Sequence, residues 1–295
     1  MGAMKMYFRS AQLCVMFALF ISIFIHTMMW SDRSNTSELC PSNKTNCHHV
    51  NIYGHSNQMR CYPLLVNFAH QCCGMSQKNN CDTGLTFGMA QCLKLNMNIF
   101  KSDDGFRQRN SDLLNYYRGG GYWLWKPYIL WHELYAAREG DVIVYSDAAV
   151  NFVSDINILI RLMGQQDIMT FRQINHSESA YTKRDTFILM HADSKRFVES
   201  TAAVASYVLV RKSVQSLAFV SEWLTYVQDG RAVSDDRNVL GKPNYPNFVG
   251  HRHDQSILGL LVKKWNLTTY PDPSQHGESV ARPYPTILKH HRKKL

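Results

Sequence analysis

Asp147 is the residue of this 295-residue chain whose position most strongly predicts chemistry. It closely follows an apolar run, Val142 to Tyr145, which predicts a central strand covered on both faces. In α/β proteins ligands bind at the carboxyl edge of the sheet, where such a strand ends. A lone carboxylate at the end of a buried strand is costly unless it meets a cation or hydrogen-bond donors. We therefore predict that Asp147 lies at the centre of an active site.

The segment before this strand contains the features that must position Asp147. Three consecutive glycines at 119–121 break the preceding helix and allow the backbone to approach a ligand closely. They do not follow a predicted strand, so neither a P-loop nor a dinucleotide-binding fingerprint is supported. Pro127 suits the first turn of a helix predicted from Tyr128 to about Arg138.

Helices and strands are predicted to alternate on both sides of this segment, which is typical of an α/β fold. Upstream, the predicted elements are strands at 85–88 and 98–101 and a helix at 106–117. Downstream, they are helices at 156–163, 185–191 and 214–227, strands at 168–171 and 205–210, a polar loop at 231–250, and a helix opened by His253 or Asp254. The length suits one such domain with an N-terminal appendage.

The N-terminus predicts insertion into a membrane. Lys5 and Arg9 precede an uncharged apolar run at 11–30, whose length matches the thickness of a bilayer core. No small-x-small cleavage site follows, which favours an uncleaved signal anchor over a cleaved signal peptide. Because positive charge precedes the run, residues 1–10 are predicted to be a cytosolic tail and the remainder lumenal. We expect a single-pass type II protein of the Golgi or ER membrane.

Two further features agree with an exported chain. Acceptor sequons for N-glycosylation all follow the apolar run, at Asn35, Asn43, Asn175 and Asn266. Most of the eight cysteines cluster between residues 40 and 92, which predicts a disulfide-stapled, cysteine-rich lumenal stem at 31–84. A zinc site at Cys47, His48 and His49 is the alternative, although their spacing differs from that of structural zinc sites.

The charge balance predicts an anionic partner. The formal net charge is +9, from 32 Lys and Arg residues against 23 Asp and Glu residues. No zinc-finger, RNA-binding or basic-zipper motif accompanies this charge, so nucleic acid is disfavoured. A membrane surface, a nucleotide-sugar phosphate or an acidic glycan remains as the expected partner.

Three motifs carry a resemblance to a known group of proteins. They are RGGGYWLWKPYIL at 118–130, DVIVYSDAA at 141–149 and HRHDQSILGLL at 251–261. Through them the chain resembles membrane-anchored glycosyltransferase-like proteins of the GT-A, or nucleotide-diphospho-sugar transferase, fold. The resemblance implies a Rossmann-like mixed sheet flanked by helices in a catalytic domain at 85–295. It also implies transfer of a hexosyl or pentosyl group from a nucleoside diphosphate sugar to a hydroxyl of a glycan or glycoprotein.

The resemblance assigns roles to residues at the donor diphosphate. In the family a D-x-D motif holds a divalent cation, Mn²⁺ or Mg²⁺, against the diphosphate. Here that position reads Asp147-Ala148-Ala149, so the second carboxylate is absent. The expected metal ligands are therefore Asp147 with His290 and His291, while His251 and His253 are further candidates. Arg118 and Lys126 would add positive charge beside Asp147 at the diphosphate.

Asp254 and Gln255 match the family's D-Q element near the transferred sugar and are the expected catalytic residues. Asp254 would serve as base toward the acceptor if the reaction inverts the anomeric centre. Two alternatives stay open. The missing carboxylate favours a catalytically inactive, membrane-anchored module that binds glycans or proteins. A hydrolase could instead use Asp147 and Asp254 as paired carboxylates.

Overall fold

The computed structural model describes residues 46–52 and 55–291. All of them belong to one of two compact units, Lys44–Leu295. The predicted cytosolic tail, the membrane anchor and the first part of the stem lie outside the described residues. Within the described ranges, no helix has the length and apolar character needed to cross a bilayer.

Strands and helices alternate along the described residues. The strands are β1 (Asn46–Ile52), β2 (His55–Tyr62), β3 (Leu64–Phe68), β4 (Gln91–Leu95), β5 (Val142–Ser146), β6 (Val150–Phe152), β7 (Ile168–Ser177), β8 (Thr201–Arg211), β9 (Thr269–Pro271) and β10 (Leu288–His290). The α-helices are α1 (Gly74–Thr86), α2 (Asp104–Arg109), α3 (Ser111–Leu114), α4 (Gly119–Tyr122), α5 (Trp125–Ala136), α6 (Asn157–Met163), α7 (Glu178–Tyr181), α8 (Arg184–Leu189), α9 (Lys195–Val198), α10 (Val214–Val227), α11 (Gly230–Val233) and α12 (Asp254–Lys264). Short 3₁₀ helices span Met97–Phe100 and Gln275–Gly277.

Six strands form one mixed sheet in the order β4-β3-β5-β8-β7-β9. β3 is parallel to both β4 and β5, whereas β8 is antiparallel to β5 and β7, and β9 is parallel to β7. Every residue of β3 and β5 is buried, as expected of central strands covered on both faces. The prediction of a mixed α/β sheet flanked by helices is confirmed at this level.

Two apolar clusters cover the two faces of the sheet. Ile143 and Tyr145 of β5 face a cluster that includes α5, α10 and α12. Val142 and Val144 face the opposite cluster, which includes α6, β6 and β10. Because successive side chains of a strand point to opposite faces, the one strand anchors both layers. The strand that ends just before Asp147 is therefore packed on both faces.

The sheet begins earlier than the predicted domain boundary at residue 85. β3 and most of α1 fall within the predicted stem at 31–84, yet β3 is an interior strand of the sheet. The predicted strand at 85–88 is wrong, because its first two residues end α1. α1 gives no apolar periodicity since the side chains that it buries include polar ones. Among them, Asn80 donates to Ser146 Oγ at 2.9 Å and to Val150 O at 2.7 Å.

Other elements differ from the predictions as well. The strands β4, β6, β9 and β10 and the short helices α7, α9 and α11 are not among the predicted elements, and α11 lies mostly in the predicted polar loop at 231–250. The predicted strand at 98–101 is instead mostly the 3₁₀ helix Met97–Phe100, and the helix predicted at 106–117 is divided between α2 and α3. The helix predicted at 214–227 is confirmed as α10. It begins at a capping box in which Ser213 and Ser216 bond reciprocally to each other's backbone N–H.

Disulfides join the described cysteines in pairs: Cys47 to Cys61, Cys72 to Cys73, and Cys81 to Cys92. The first closes the β1–β2 hairpin. The prediction of a disulfide-stapled segment is confirmed, and the zinc alternative is wrong because Cys47 is bonded to Cys61. The hairpin docks on α5 through Arg60, whose Nε lies 2.9 Å from Glu133 Oε2.

Candidate active site

Asp147 lies at the carboxyl edge of the sheet, directly after β5. Its backbone N–H donates to Ser206 O of β8 at 2.7 Å, which fixes the backbone where the strand ends. The Tyr145 hydroxyl donates to Asp147 Oδ1. The side chain of Asp147 is 32% exposed, so the carboxylate is held at one oxygen and reaches solvent.

Lys126 is brought to Asp147 by the glycine segment that precedes α5. All four residues of α4, from Gly119 to Tyr122, have positive φ (60°, 55°, 91° and 53°), so α4 is a left-handed turn that precedes α5. A Cβ on Gly121 would approach Leu113 O to 3.0 Å, so a side chain there would be crowded as well as strained. The turn places Lys126 in the first turn of α5, where its side chain is only 3% exposed.

The Lys126 ammonium contacts three oxygen atoms from three parts of the chain. Nζ donates to Ala205 O of β8 at 2.9 Å, and it lies 2.7 Å from Asp254 Oδ2 and 3.7 Å from Asp147 Oδ1. Burial by itself would lower the pKa of Lys126. The charges and hydrogen bonds of Asp254 and Asp147 outweigh burial and raise that pKa above its ordinary value. Lys126 therefore stays charged and joins the two carboxylates.

Asp254 enters the site as the first residue of α12. His253, with φ of 56°, turns the chain into the helix, and Trp223 Nε1 donates to Asp254 O at 3.2 Å. Asp254 is 3% exposed. Burial raises the pKa of the Asp254 carboxyl to about 6, although the Lys126 ammonium opposes that rise. Of the two carboxylates on Lys126, only that of Asp147 is open to a ligand.

An open cleft of about 660 Å³ lies at the ends of β3 and β4. Its walls include His70, the Cys72–Cys73 disulfide and Asn96. Val66 of β3 pairs with Tyr145 of β5 in parallel register, so β3 ends at the level of Asp147. A Cβ on Gly120 would lie 3.4 Å from His70, which places the glycine segment against the cleft wall. The cleft and Asp147 therefore share one edge of the sheet.

The remaining predicted residues surround this group without joining it directly. Gln255 is partly exposed, and its Nε2 donates to Gln173 Oε1 of β7 at 2.9 Å. Arg118 is 59% exposed and pairs with Asp235 at 3.2 Å. Asp235 in turn lies 3.7 Å from His253 Nε2, so Arg118 belongs to the polar cluster beside Asp254.

His290 and His291 run alongside the segment that follows Asp147. His290 pairs with Val150 in the β6–β10 ladder, and the His291 backbone N–H donates to Ala149 O at 3.0 Å. Burial lowers the pKa of His290, while Asp147 acts in the opposite direction. The ring of His290 packs against those of Tyr207 and His276, with centroids 5.6 and 5.2 Å away.

The side chains around Asp147 do not fit a divalent cation. Asp147 Oδ1 already accepts from Tyr145, the ammonium of Lys126 stands between Asp147 and Asp254, and the exposed Ala149 supplies no oxygen. In the described ranges, no group of three or more His, Cys, Asp or Glu side chains is arranged to hold a metal ion. Mn²⁺ and Mg²⁺ prefer several anionic oxygens, which this arrangement does not offer.

Reasoning from the sequence missed the cleft residues and Tyr145. The run Leu64 to Phe68 is apolar except for Asn67, and it directly follows Pro63, a residue type that is tolerated at the start of a strand. Because several cysteines lie on both sides of this run, the sequence favoured a disulfide-linked stem here, and the strand was not predicted. Tyr145 was assigned to the strand, but its hydroxyl reaches past the strand end to Asp147.

Comparisons with known proteins give structural neighbours only. No family model matches the sequence, and no curated protein matches it. The chain is similar to the apo structure of the bifunctional glycosyltransferase WbbM, with a TM-score of 0.46 and 9% identity over 78% of this chain and 45% of the WbbM chain. It is also similar to the apo form of mouse xyloside xylosyltransferase 1, with a TM-score of 0.45 and 11% identity over 77% of this chain and 97% of that chain. This chain thus spans less than half the length of WbbM, and these scores do not place it in a family.

Proposed function

We propose that the protein is a glycosyltransferase with a GT-A-like fold that moves a sugar from a nucleoside diphosphate sugar to a hydroxyl of a glycan or glycoprotein. One observation carries the proposal. Lys126, Asp147 and Asp254 come from three separate sequence motifs, yet they converge at the carboxyl edge of a mixed sheet, beside an open cleft. Ion pairs with a purely structural role also occur at sheet edges. The ion pair between Lys126 and Asp147 differs from them because the carboxylate of Asp147 is partly exposed to solvent.

In the proposed reaction, Asp147, the cleft and Gln255 have different roles. The bond between the anomeric carbon and the diphosphate oxygen breaks, and the diphosphate keeps the electron pair. The acceptor oxygen bonds to the anomeric carbon and releases its proton to the departing diphosphate or to water. Positive charge develops on the sugar ring, and the open oxygen of Asp147 would stabilise it or bind a sugar hydroxyl. The cleft would hold the nucleotide, and Gln255 would contact a hydroxyl of the transferred sugar.

We propose a different role for Asp254 from the one that the resemblance implies. A base must reach the acceptor, whereas the side chain of Asp254 is 4% exposed and its Oδ2 lies against Lys126. Asp254 would instead hold the Lys126 ammonium in place. The same burial disfavours a hydrolase with Asp147 and Asp254 on opposite sides of a substrate, because both contact one ammonium.

We also propose that the described domain is lumenal in a type II membrane protein of the Golgi or ER. The disulfides of the described residues support an oxidising compartment. The exposed sequon residues Asn175 and Asn266 are accessible for glycosylation.

Thermal unfolding of the full-length protein with UDP, GDP and CMP tests the proposed function. One nucleotide is expected to raise the melting temperature by about 5–10 °C when present at about 100 times its dissociation constant. Adenosine monophosphate serves as a control for non-specific anion binding. An unchanged melting temperature with every nucleotide would contradict the transferase and favour the inactive binding module.

The affinity for that nucleotide is expected to depend on the protonation of Asp254. Above pH 6 the group of Lys126, Asp147 and Asp254 carries a net charge of −1, and below the raised pKa of about 6 Asp254 is neutral. Loss of this negative charge should strengthen diphosphate binding about tenfold as the pH falls from about 7 to 5. Calorimetry on the wild type and on Asp254→Asn measures the effect, and the ratio of the two affinities cancels the ligand's own titration. A ratio that stays constant with pH would contradict the prediction.

A further inference from the structure

We infer that Lys126 is the resident cation of this site and that the site binds its nucleotide without a divalent metal. The part that concerns the nucleotide rests on the proposed function. The part that concerns the metal rests on the geometry of Lys126, Asp147 and Asp254, and it can be tested without any nucleotide.

The ammonium occupies the position that a bridging metal would need. Its three N–H donors have three acceptor oxygens around them, on Ala205, Asp254 and Asp147. A metal that joined the two carboxylates would lie about 2.0–2.6 Å from an oxygen of each. Nζ already stands between them, at 2.7 and 3.7 Å. A divalent cation in the same space would meet both a steric clash and a like charge.

Three of the other candidate histidines make contacts elsewhere, whereas the two ring nitrogens of His291 are buried and have no hydrogen-bond partner among the described residues. His251 Nδ1 accepts from the Lys183 backbone N–H at 3.2 Å, and its Nε2 lies 2.9 Å from Ala232 O. His253 Nδ1 lies 2.8 Å from Val233 O, so the ring turns toward the backbone of α11. The ring of His290 packs between two other aromatic rings. None of these histidines is arranged with Asp147 as a ligand set.

The position of Lys126 explains how a single aspartate can stand where the family has two. In the D-x-D arrangement a metal fixes the carboxylates and links them to the donor. Here the cation is the ammonium of Lys126, which belongs to the chain itself. It lies beside Asp147 Oδ1 on the buried side of the carboxylate and leaves the other oxygen open to a ligand. Because the cation belongs to α5, it cannot be removed by a chelator. Lys126 is thus a positioning residue that acts through Asp147.

Two measurements on the full-length wild type test the inference. Electron paramagnetic resonance of Mn²⁺ is expected to show no protein-bound metal at millimolar concentration. Calorimetry with the nucleotide that stabilises the protein is expected to give affinities that agree within about twofold in EDTA and in excess Mn²⁺.

Substitutions make the inference sharper, because removal of the ammonium should create a metal site. Lys126→Met leaves Asp147 and Asp254 facing each other without a cation, and this variant is expected to bind Mn²⁺ with a dissociation constant below about 1 mM. Ala149→Asp restores the second carboxylate at an exposed position but keeps the ammonium, so it should gain no such binding. Lys183→Met is the matched control, since Lys183 is also a buried lysine but donates to Ser234 O and Asp236 O.

The outcomes separate the inference from the proposed function. Mn²⁺ binding by the wild type, or a tenfold or greater loss of nucleotide affinity in EDTA, would overturn the inference and leave the transferase standing. Absence of nucleotide binding under both conditions would contradict the transferase, and the Mn²⁺ titrations would still decide the metal question. If Lys126→Met fails to fold, the wild type and Ala149→Asp provide the answer. If Lys126→Met folds and binds no Mn²⁺, the ammonium does not occupy a metal position.

Discussion

Replacing Asp147 with asparagine is expected to lower the kcat/KM for release of the nucleoside diphosphate at least about 100-fold. Asparagine has nearly the same size, and its side-chain oxygen can still accept from the Tyr145 hydroxyl. It lacks the negative charge that would face the developing positive charge of the sugar. Lys126 keeps its contacts with Asp254 and Ala205, so the fold should remain intact. The measurement is the rate of diphosphate release from the nucleotide sugar, with thermal unfolding as the check on folding.

Two further variants accompany this test: a surface control with the same chemical change, and a variant for which a smaller effect is expected. Asp112→Asn makes the same chemical change on the exposed surface of α3, and it should leave the rate unchanged. Tyr145→Phe removes the hydroxyl that holds Asp147 Oδ1 but keeps the carboxylate, so its effect should be about 10-fold, from the loss of one hydrogen bond to a charged group. A rate for Asp147→Asn within about twofold of the wild type would remove Asp147 from the chemistry.

Much of the fold could be predicted because the decisive elements have apolar periodicity. β5 is a continuous apolar run, and α10 has an amphipathic pattern that ends before Asp229 and Gly230, so both elements could be located closely. α1 could not be predicted in this way. It buries Asn80 and Gln77, whose amides are satisfied by partners distant in sequence, including Ser146 Oγ and Leu95 O. A helix that packs through polar side chains carries no periodic signal, because burial of these groups depends on tertiary partners.

The candidate site could be predicted as a set of residues but not as an arrangement. The sequence places Asp147 after a buried strand and Lys126 before Pro127, which are local facts. The contact between Lys126 and Asp254 joins residues from two helices, and it exists because β8 and α10 hold both helix starts at one edge of the sheet. A pairing of this kind depends on tertiary packing. The resemblance therefore placed Lys126 at the diphosphate, whereas in the structure its buried ammonium contacts the carboxylates of Asp147 and Asp254.

Replacing Arg60 with methionine is expected to lower the free energy of unfolding by about 3–5 kcal/mol. Arg60 Nε and Nη2 contact the two carboxylate oxygens of Glu133 at 2.9 and 3.3 Å, and the Glu133 side chain is fully buried. Burial raises the pKa of Glu133, while the guanidinium of Arg60 opposes that rise. Without Arg60 the buried carboxylate must either remain charged and unpaired or take up a proton. Urea unfolding at pH 7 measures the loss.

The double variant Arg60→Met/Glu133→Met should recover most of that loss, because two apolar side chains of similar volume replace the pair and leave no charge buried. Lys78→Met, which breaks an exposed pair with Asp82, should change the stability by no more than about 0.5 kcal/mol. A double variant as unstable as the single one would contradict the ion-pair explanation. Glu133 belongs to the helix that begins with Trp125 and Lys126, so loosening at Arg60 should also raise amide exchange at the start of α5. The β1–β2 hairpin would then be a support for the site as well as a stabilising element.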